Sequence, residues 1–511
     1  MKAKKWFTSI LMCSVLSMPL THVSASTDTT GKYSLKFNTA NYTEKTLTVD
    51  GKNVTYRAYE KIVYVKNPVD TKYEIMNVYV PEEYYEGKSI GKYTAKTAPI
   101  FFPNTVGGYM PGEPGSPGQD ERNGGPNAAL VALSKGYVVA EPGARGRTTQ
   151  DEDGQYTGKA PAAIVDLKAA VRYLRYNDKI MPGDAEKIIS NGTSAGAALS
   201  TLLGATGNNK DYEPYLKAIG AANERDDIFA VSSYAAITNL DHADMAYEWL
   251  FNGINDYKKL VISKDTDYNI QRNMVEGTLT EDQIQVSNEL KAMFPEYVNS
   301  LRLTSTDGTA LTLDTNGNGT FKNYIKSFVI ASAQKALDSG TDLSSLNWIT
   351  IKDKKVTDID FDKYIAYVGR MKTPSAFDGL DLNNAENELF GTKTTNAQHF
   401  TQFGLEHSTV DGTIADAQTV KMMNPMYYIG TKGTTTSKYW RVRQGTVDND
   451  TSFAIPAILS AKLENKGLNV DFALAWNQSH GGDYDLDKLF AWTDKIVASS
   501  SKVHAPVKVR R

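Results

Sequence analysis

Residues 187–200 read KIISNGTSAGAALS, and the fold turns on this stretch. Residues 187–190 form a short strand rich in β-branched side chains. Gly192-Thr193-Ser194-Ala195-Gly196 then matches Gly-x-Ser-x-Gly, and residues 195–206 continue as a helix of alanine and leucine. A serine held in so sharp a strand-to-helix turn needs small neighbours, because the two elements approach closely there. The pentapeptide alone recurs by chance in a chain of 511 residues. A strand before it and a helix after it make it a nucleophile elbow with Ser194 at the tip.

Strand and helix patterns alternate on both sides of the elbow. Residues 98–103 and 137–140 are short apolar strands, and 127–135 is a helix closed by Gly136. Residues 161–176 place Ile164, Leu167, Val171 and Leu174 on one helical face. Residues 228–234 are a further strand, and before residue 84 the chain reads as short alternating strands such as 53–59 and 73–80. The alternation stops near residue 248 and resumes near 427, with strands at 439–443 and 470–476 and helices at 452–465 and 486–497. The expected fold is α/β: a mostly parallel sheet with helices on both faces, as in α/β-hydrolases. Its two parts, 26–250 and 428–511, would flank an inserted lid or substrate domain over 251–427.

The first 25 residues stand apart. Lys2, Lys4 and Lys5 precede an apolar run from Trp6 to Leu20, and Val23 and Ala25 give small residues before a cleavage point at Ser26. That is the layout of a secretory signal, and the run, broken by Pro19, is too short to span a bilayer. Export is expected, with the protein either released or retained at the cell surface. Cys13, the sole cysteine, leaves with the signal, which excludes disulfides, thiolate metal sites and a cysteine nucleophile from the mature chain. The signal carries three lysines of 56 basic residues and none of the 59 acidic ones. The mature net charge is therefore 53 − 59 = −6, which argues against nucleic acid or an anionic membrane as partner. Apolar residues at 41% supply ample material for a core.

A serine hydroxyl needs a base. In this fold the base is a histidine in the loop after the last strand, preceded in the chain by the acid. Of His242, His399, His407, His480 and His504, only His480 stands there, in Gln478-Ser479-His480-Gly481-Gly482. The loop after the preceding strand offers Asp448 and Asp450, and spacing does not choose between them; the other would cap the helix that follows. For the oxyanion, the backbone N–H of Ala195 and that of Gly108, with Gly107 in reserve, are the expected donors.

Several longer stretches resemble one family. Phe102-Pro103-Asn104-Thr105-Val106-Gly107-Gly108-Tyr109-Met110-Pro111-Gly112, residues 141–147, 191–198 and 239–246, and residues 440–452 and 479–485 are similar to bacterial tannases, over most of the mature chain. The resemblance implies a triad of Ser194, Asp448 and His480, and so separates the two aspartates. It also implies a galloyl-binding set of Lys372, Glu386 and Asp450, whose carboxylates accept from phenolic hydroxyls while the ammonium donates to them. The implied activity is hydrolysis of gallate esters and hydrolysable tannins through a galloyl-enzyme, with no cofactor and no metal. One departure is Ala197, where a second glycine would be expected after Gly196.

Other readings compete. On the same fold, a feruloyl or general carboxylesterase or a serine peptidase is the nearest rival, and a catalytically silent binding module is the rival from another class. Asp314-Thr315-Asn316-Gly317-Asn318-Gly319 begins like a calcium loop, but Ile325 stands where a bidentate glutamate is needed, so a turn is expected. The Asn-x-Ser/Thr triplets at Asn41, Asn53 and Asn191 are chance matches, the last of them against the elbow.

Overall fold

The computed structural model describes residues 32–120, 124–264 and 270–503. The signal segment, His504 and the basic tail at 508–511 lie outside the described residues. Nine strands form the main sheet: β1 (Thr43–Val49), β2 (Lys52–Val63), β3 (Ile75–Pro81), β4 (Pro99–Pro103), β5 (Val138–Pro142), β6 (Asp184–Thr193), β7 (Ala230–Tyr234) and, after the insertion, two more. The insertion carries the hairpins β8 (Asp256–Lys264) with β9 (Ile270–Thr278) and β10 (Ile349–Lys352) with β11 (Lys355–Ile359). The chain then returns to the sheet as β12 (Tyr439–Gly445) and β13 (Asn469–Ala475).

The order across the sheet is β1-β2-β3-β5-β4-β6-β7-β12-β13. From β5 to β13 every pairing is parallel, and β1 to β3 run antiparallel at one edge. Helices pack on both faces, as a parallel sheet requires. That double covering explains why β5 and β7 are buried at every position. Register fixes the height of the site: Pro103 pairs with Asn191, Thr193 with Tyr234, and Tyr234 with Arg443. The loops leaving the carboxyl ends of β4, β6, β12 and β13 therefore open on one edge, where open α/β sheets place their ligands.

The insertion packs into the core of the sheet and adds a small cluster of its own, Ala333, Ala336, Leu343 and Val356. Trp348 packs on Trp476 at 6.1 Å, Phe328 on Phe472 at 4.5 Å, and Tyr364 stacks on Phe453 at 5.9 Å. Its two hairpins are hidden in the sequence for different reasons. The β10–β11 turn sits on Asp353 and Lys354 at φ 50° and 61°, a left-handed pair without the glycine that usually announces it. Among the described side chains of the β8–β9 pair there is no period-two burial, since Lys258, Lys259 and Asn273 to Glu276 are all exposed.

Candidate active site

The elbow is built at the end of β6. Ser194 takes φ 60° and ψ −126°, a conformation that only a braced turn sustains, and its N–H donates to Tyr234 O at 3.0 Å. The helix Ala195–Ala205 starts at the next residue. A Cβ on Gly196 would lie 2.6 Å from Val106 O and 2.7 Å from Asn104 Oδ1, so the helix can sit against the β4 loop only with glycine there. Asn104 fastens that contact by donating from Nδ2 to Gly196 O at 3.0 Å. Ala197 is wholly buried in the helix, so the departure from glycine is absorbed by packing.

The β4 loop then turns back over the serine. Gly108 has φ 53°, its carbonyl accepts from Arg147 Nε at 2.9 Å, and the buried Tyr109 donates from its hydroxyl to Ile237 O at 3.0 Å. Gly108, Ser194 and His480 line one cavity of about 340 Å³, together with Lys372, Glu386 and Asp450. Gly107 faces a different cavity, which also reaches Ser194. The Ala195 N–H stands at the helix start next to Ser194.

Asp448 and His480 arrive on adjacent loops. Gly445 ends β12 where a Cβ would fall 1.8 Å from Gln478 O, and this closeness lets Val447 N donate to Gln478 O at 3.1 Å. Asp448, fully buried, then lies with Oδ2 3.1 Å from His480 Nδ1 and accepts the N–H of Asp450 at 3.0 Å. Burial alone would depress the His480 pKa, but the hydrogen bond and charge of Asp448, aided by Asp450, outweigh it and raise the imidazole above 6.5.

Asp450 is no helix cap. The next helix begins at Ala454 with Phe453 before it and no side-chain cap, while Asp450 Oδ1 lies 3.1 Å from Lys372 Nζ. Burial would raise Asp450, yet Lys372 and His480 hold it below the usual carboxylate value. Glu386 is buried, and that burial pushes its carboxyl up despite the nearby Lys372 charge. These three side chains line one cavity, Glu386 buried and the Lys372–Asp450 pair half-buried.

Tyr247 has no signal in the chain, yet it organises the constellation. Its hydroxyl accepts from the N–H groups of Met371 and Lys372 at 3.1 and 2.9 Å and donates to Asn449 O at 2.9 Å. One phenol thereby ties the lysine segment to the aspartate loop. Arg370, its side chain wholly buried, pairs with Glu248 at 2.9 Å and donates to the carbonyls of Ile254 and Lys372. The other described histidines are engaged elsewhere: His242 stacks on Tyr297, and His407 stacks on Phe403 and pairs with Glu289. His399 lies 2.8 Å from Asp378 and 2.9 Å from Ser408 Oγ, a serine–histidine–aspartate line with tighter distances than the pair at the elbow. It lacks an elbow, however, and the Ser408 hydroxyl is held by the carbonyl of Val410 at 2.7 Å. The Asp314 loop is a turn, its carboxylate accepting from the N–H groups of Asn316 and Asn318.

Fold and site together define a serine ester hydrolase of the α/β-hydrolase class. A protein-family model described as BD-FAE matches residues 118–279. A tannase from Fusobacterium nucleatum is 54% identical, with 91% of this chain and all of that one aligned at a TM-score of 0.87. A tannase from Lactobacillus plantarum is 45% identical over the same shares, at a TM-score of 0.88. A tannin acyl hydrolase solved in complex with ethyl gallate is 46% identical, covering 91% of this chain and 99% of its own, at 0.85. A search of the curated proteins gives no match. The chain belongs to the bacterial tannase family.

Proposed function

We propose that the protein hydrolyses gallate esters, including those of hydrolysable tannins, by acyl transfer through Ser194. The observation that carries this reading is the shared cavity: Ser194, Gly108 and His480 border the same space as Lys372, Glu386 and Asp450. A relative of 46% identity whose structure holds ethyl gallate supports the same choice of acyl group. The galloyl ring enters with its three phenolic hydroxyls toward the Lys372–Asp450 pair and Glu386, where carboxylates accept and the ammonium donates. Its ester carbonyl then meets Ser194, with the N–H groups of Ala195 and Gly108 receiving the oxyanion.

His480 takes the Ser194 proton as the hydroxyl attacks, and Asp448 holds the imidazole with its proton on Nδ1. The imidazolium hands that proton to the departing alcohol, leaving a galloyl-enzyme. Water, deprotonated by His480, then attacks the acyl carbon and releases gallic acid. In this reading residues 251–427 act as the inserted substrate domain that brings Lys372 and Glu386 to the serine, and residues 1–25 export the protein. Among the described residues no helix is long and apolar enough to cross a membrane.

The deciding assay offers methyl gallate, methyl ferulate and a peptide amide in parallel. Gallic acid release with at least about 100-fold preference over the ferulate is expected, because a site built for hydroxyls leaves its polar groups unpaired with the methoxyl analogue. Equal rates on gallate and ferulate sink the galloyl assignment and leave a general esterase. The pH profile gives a second check. His480 acts as a base only when neutral, and its pKa is raised, so the acid limb of kcat/KM on methyl gallate is expected above pH 6.5. Activity rises as pH climbs through that limb; a midpoint below 6.5 contradicts the charged partners assigned to the imidazole.

A further inference from the structure

Two consecutive residues of the β4 loop hold a left-handed backbone, Gly108 at φ 53° and Tyr109 at φ 54°. Glycine adopts that conformation freely, whereas a bulky tyrosine keeps it only where its surroundings impose it. The segment that follows β5 imposes it here. Gly112 and Ala144 exchange backbone hydrogen bonds of 3.0 and 2.9 Å, and Arg147 N donates to Tyr109 O at 2.8 Å. A Cβ on Gly146 would fall 2.2 Å from Pro111 N, so the two segments lie in close contact. The carbonyl between the two left-handed residues, that of Gly108, accepts from Arg147 Nε at 2.9 Å. The far end of the same guanidinium pairs through Nη1 with Glu388, two residues beyond Glu386 on the helix Ala385–Leu389. Its charge reaches Glu386 as well, where with that of Lys372 it opposes the rise that burial imposes.

One planar group thus joins the Gly108 loop to the helix that carries Glu386. We propose that Arg147 is a positioning residue for ester hydrolysis, holding the Gly108 N–H toward the oxyanion and tying it to the Glu386 helix. This rests on the galloyl-esterase reading, with Gly108 as an oxyanion donor. Arg147 is not among the residues lining the cavity at Ser194, so it acts through Gly108 and not on the substrate. The physical basis is a peptide flip. Without a donor on the Gly108 carbonyl, turning over the 108–109 peptide would take Tyr109 out of its left-handed conformation and shift the Gly108 backbone with it. The guanidinium resists this with a charge-assisted bond from Nε while Nη1 stays anchored at Glu388. A lysine ammonium, a single point on a flexible stem, has no second nitrogen with which to do both.

The test measures kcat and KM on methyl gallate for the wild type, Arg147→Met and Arg147→Lys, with two inhibitors as probes. Trifluoroacetophenone forms a tetrahedral adduct with the serine and calls on the oxyanion donors. Pyrogallol offers the trihydroxy ring alone and calls only on the galloyl pocket. In both variants kcat is expected to fall about 30-fold and trifluoroacetophenone to bind correspondingly weaker, less than the loss on deleting an oxyanion donor outright. KM and the pyrogallol inhibition constant are expected to stay within about threefold of wild type. Equal weakening of both inhibitors marks a general loosening of the site and overturns the proposal, as does a kcat within about threefold of wild type. Rescue by Arg147→Lys also overturns it, because the bond from Nε would then be dispensable. If neither arginine variant folds, Glu388→Ala decides, since it removes the anchor of the guanidinium and keeps the Nε donor. A fall in kcat of about fivefold with pyrogallol binding intact is then expected, and an unchanged kcat overturns the proposal. A wild type inert on methyl gallate but active on para-nitrophenyl acetate refutes the galloyl reading instead. The same variants are then read on the acetate, where an unchanged kcat overturns the role of Arg147.

Discussion

Ser194→Ala is expected to lower kcat on methyl gallate by about 10⁵-fold while the protein stays folded. The substitution removes the only atom that attacks, and nothing nearby replaces it: Thr193, the neighbouring hydroxyl, belongs to the end of β6 and lies against Gly482, where a Cβ would approach its Oγ1 to 2.0 Å. Folding should survive, since the backbone at 194 is braced by Tyr234 O and by the helix that starts at 195. The measurement is gallic acid release with circular dichroism on the same sample, followed by labelling with a fluorophosphonate. Wild-type labelling at Ser194 and none in the variant would complete the result. Turnover within about tenfold of wild type in a folded variant would remove Ser194 from the mechanism. A residual rate above that in water is compatible with it, because the oxyanion donors and the galloyl pocket remain.

The second large effect belongs to Asp448→Asn, for which a fall in kcat of about 10⁴-fold is expected. Asp448 is fully buried with its Oδ2 3.1 Å from Nδ1 of His480, and in the proposed mechanism it keeps a proton on that nitrogen. An asparagine turns an N–H toward that nitrogen and favours the tautomer with its proton on Nε2, which cannot accept from serine. Asp450→Asn is the control. Asp450 pairs with Lys372, so its loss should act mainly on KM for gallates. If the two variants behave alike, the separation of roles between the aspartates fails.

Much of this arrangement is legible in the chain. The parallel strands beside the elbow are covered on both faces, and β4 declares itself by its apolar run Pro99–Pro103. His480 can be chosen because the order of strands dictates which loop reaches the serine. Asp448 and Asp450 are not separable by spacing, since two residues apart on one loop either could meet the imidazole. Only the fold turns one toward His480 and the other toward Lys372. Lys372 and Glu386 are reached through family resemblance alone, because 372 and 386 carry no motif and the insertion has no strand order to count by. The hairpins escape a reading of the chain because their residues are exposed or their turn lacks glycine.

The sequence by itself determined the elements whose signals are local: the elbow, the helices around it, the loop that carries His480, and the family through long matching stretches. These depend on steric and periodic demands that act within a few residues. Tertiary structure alone decided what lies across from what. Tyr247 could not be foreseen as the clasp joining Lys372 to the Asp448–Asp450 loop, because its hydroxyl bridges segments more than 120 and 200 residues away along the chain. Nor could the line of Asp378, His399 and Ser408 be set aside, since it matches the residue types of a triad and fails only in its surroundings. Such roles depend on burial and on direction in space, which no short stretch of sequence contains.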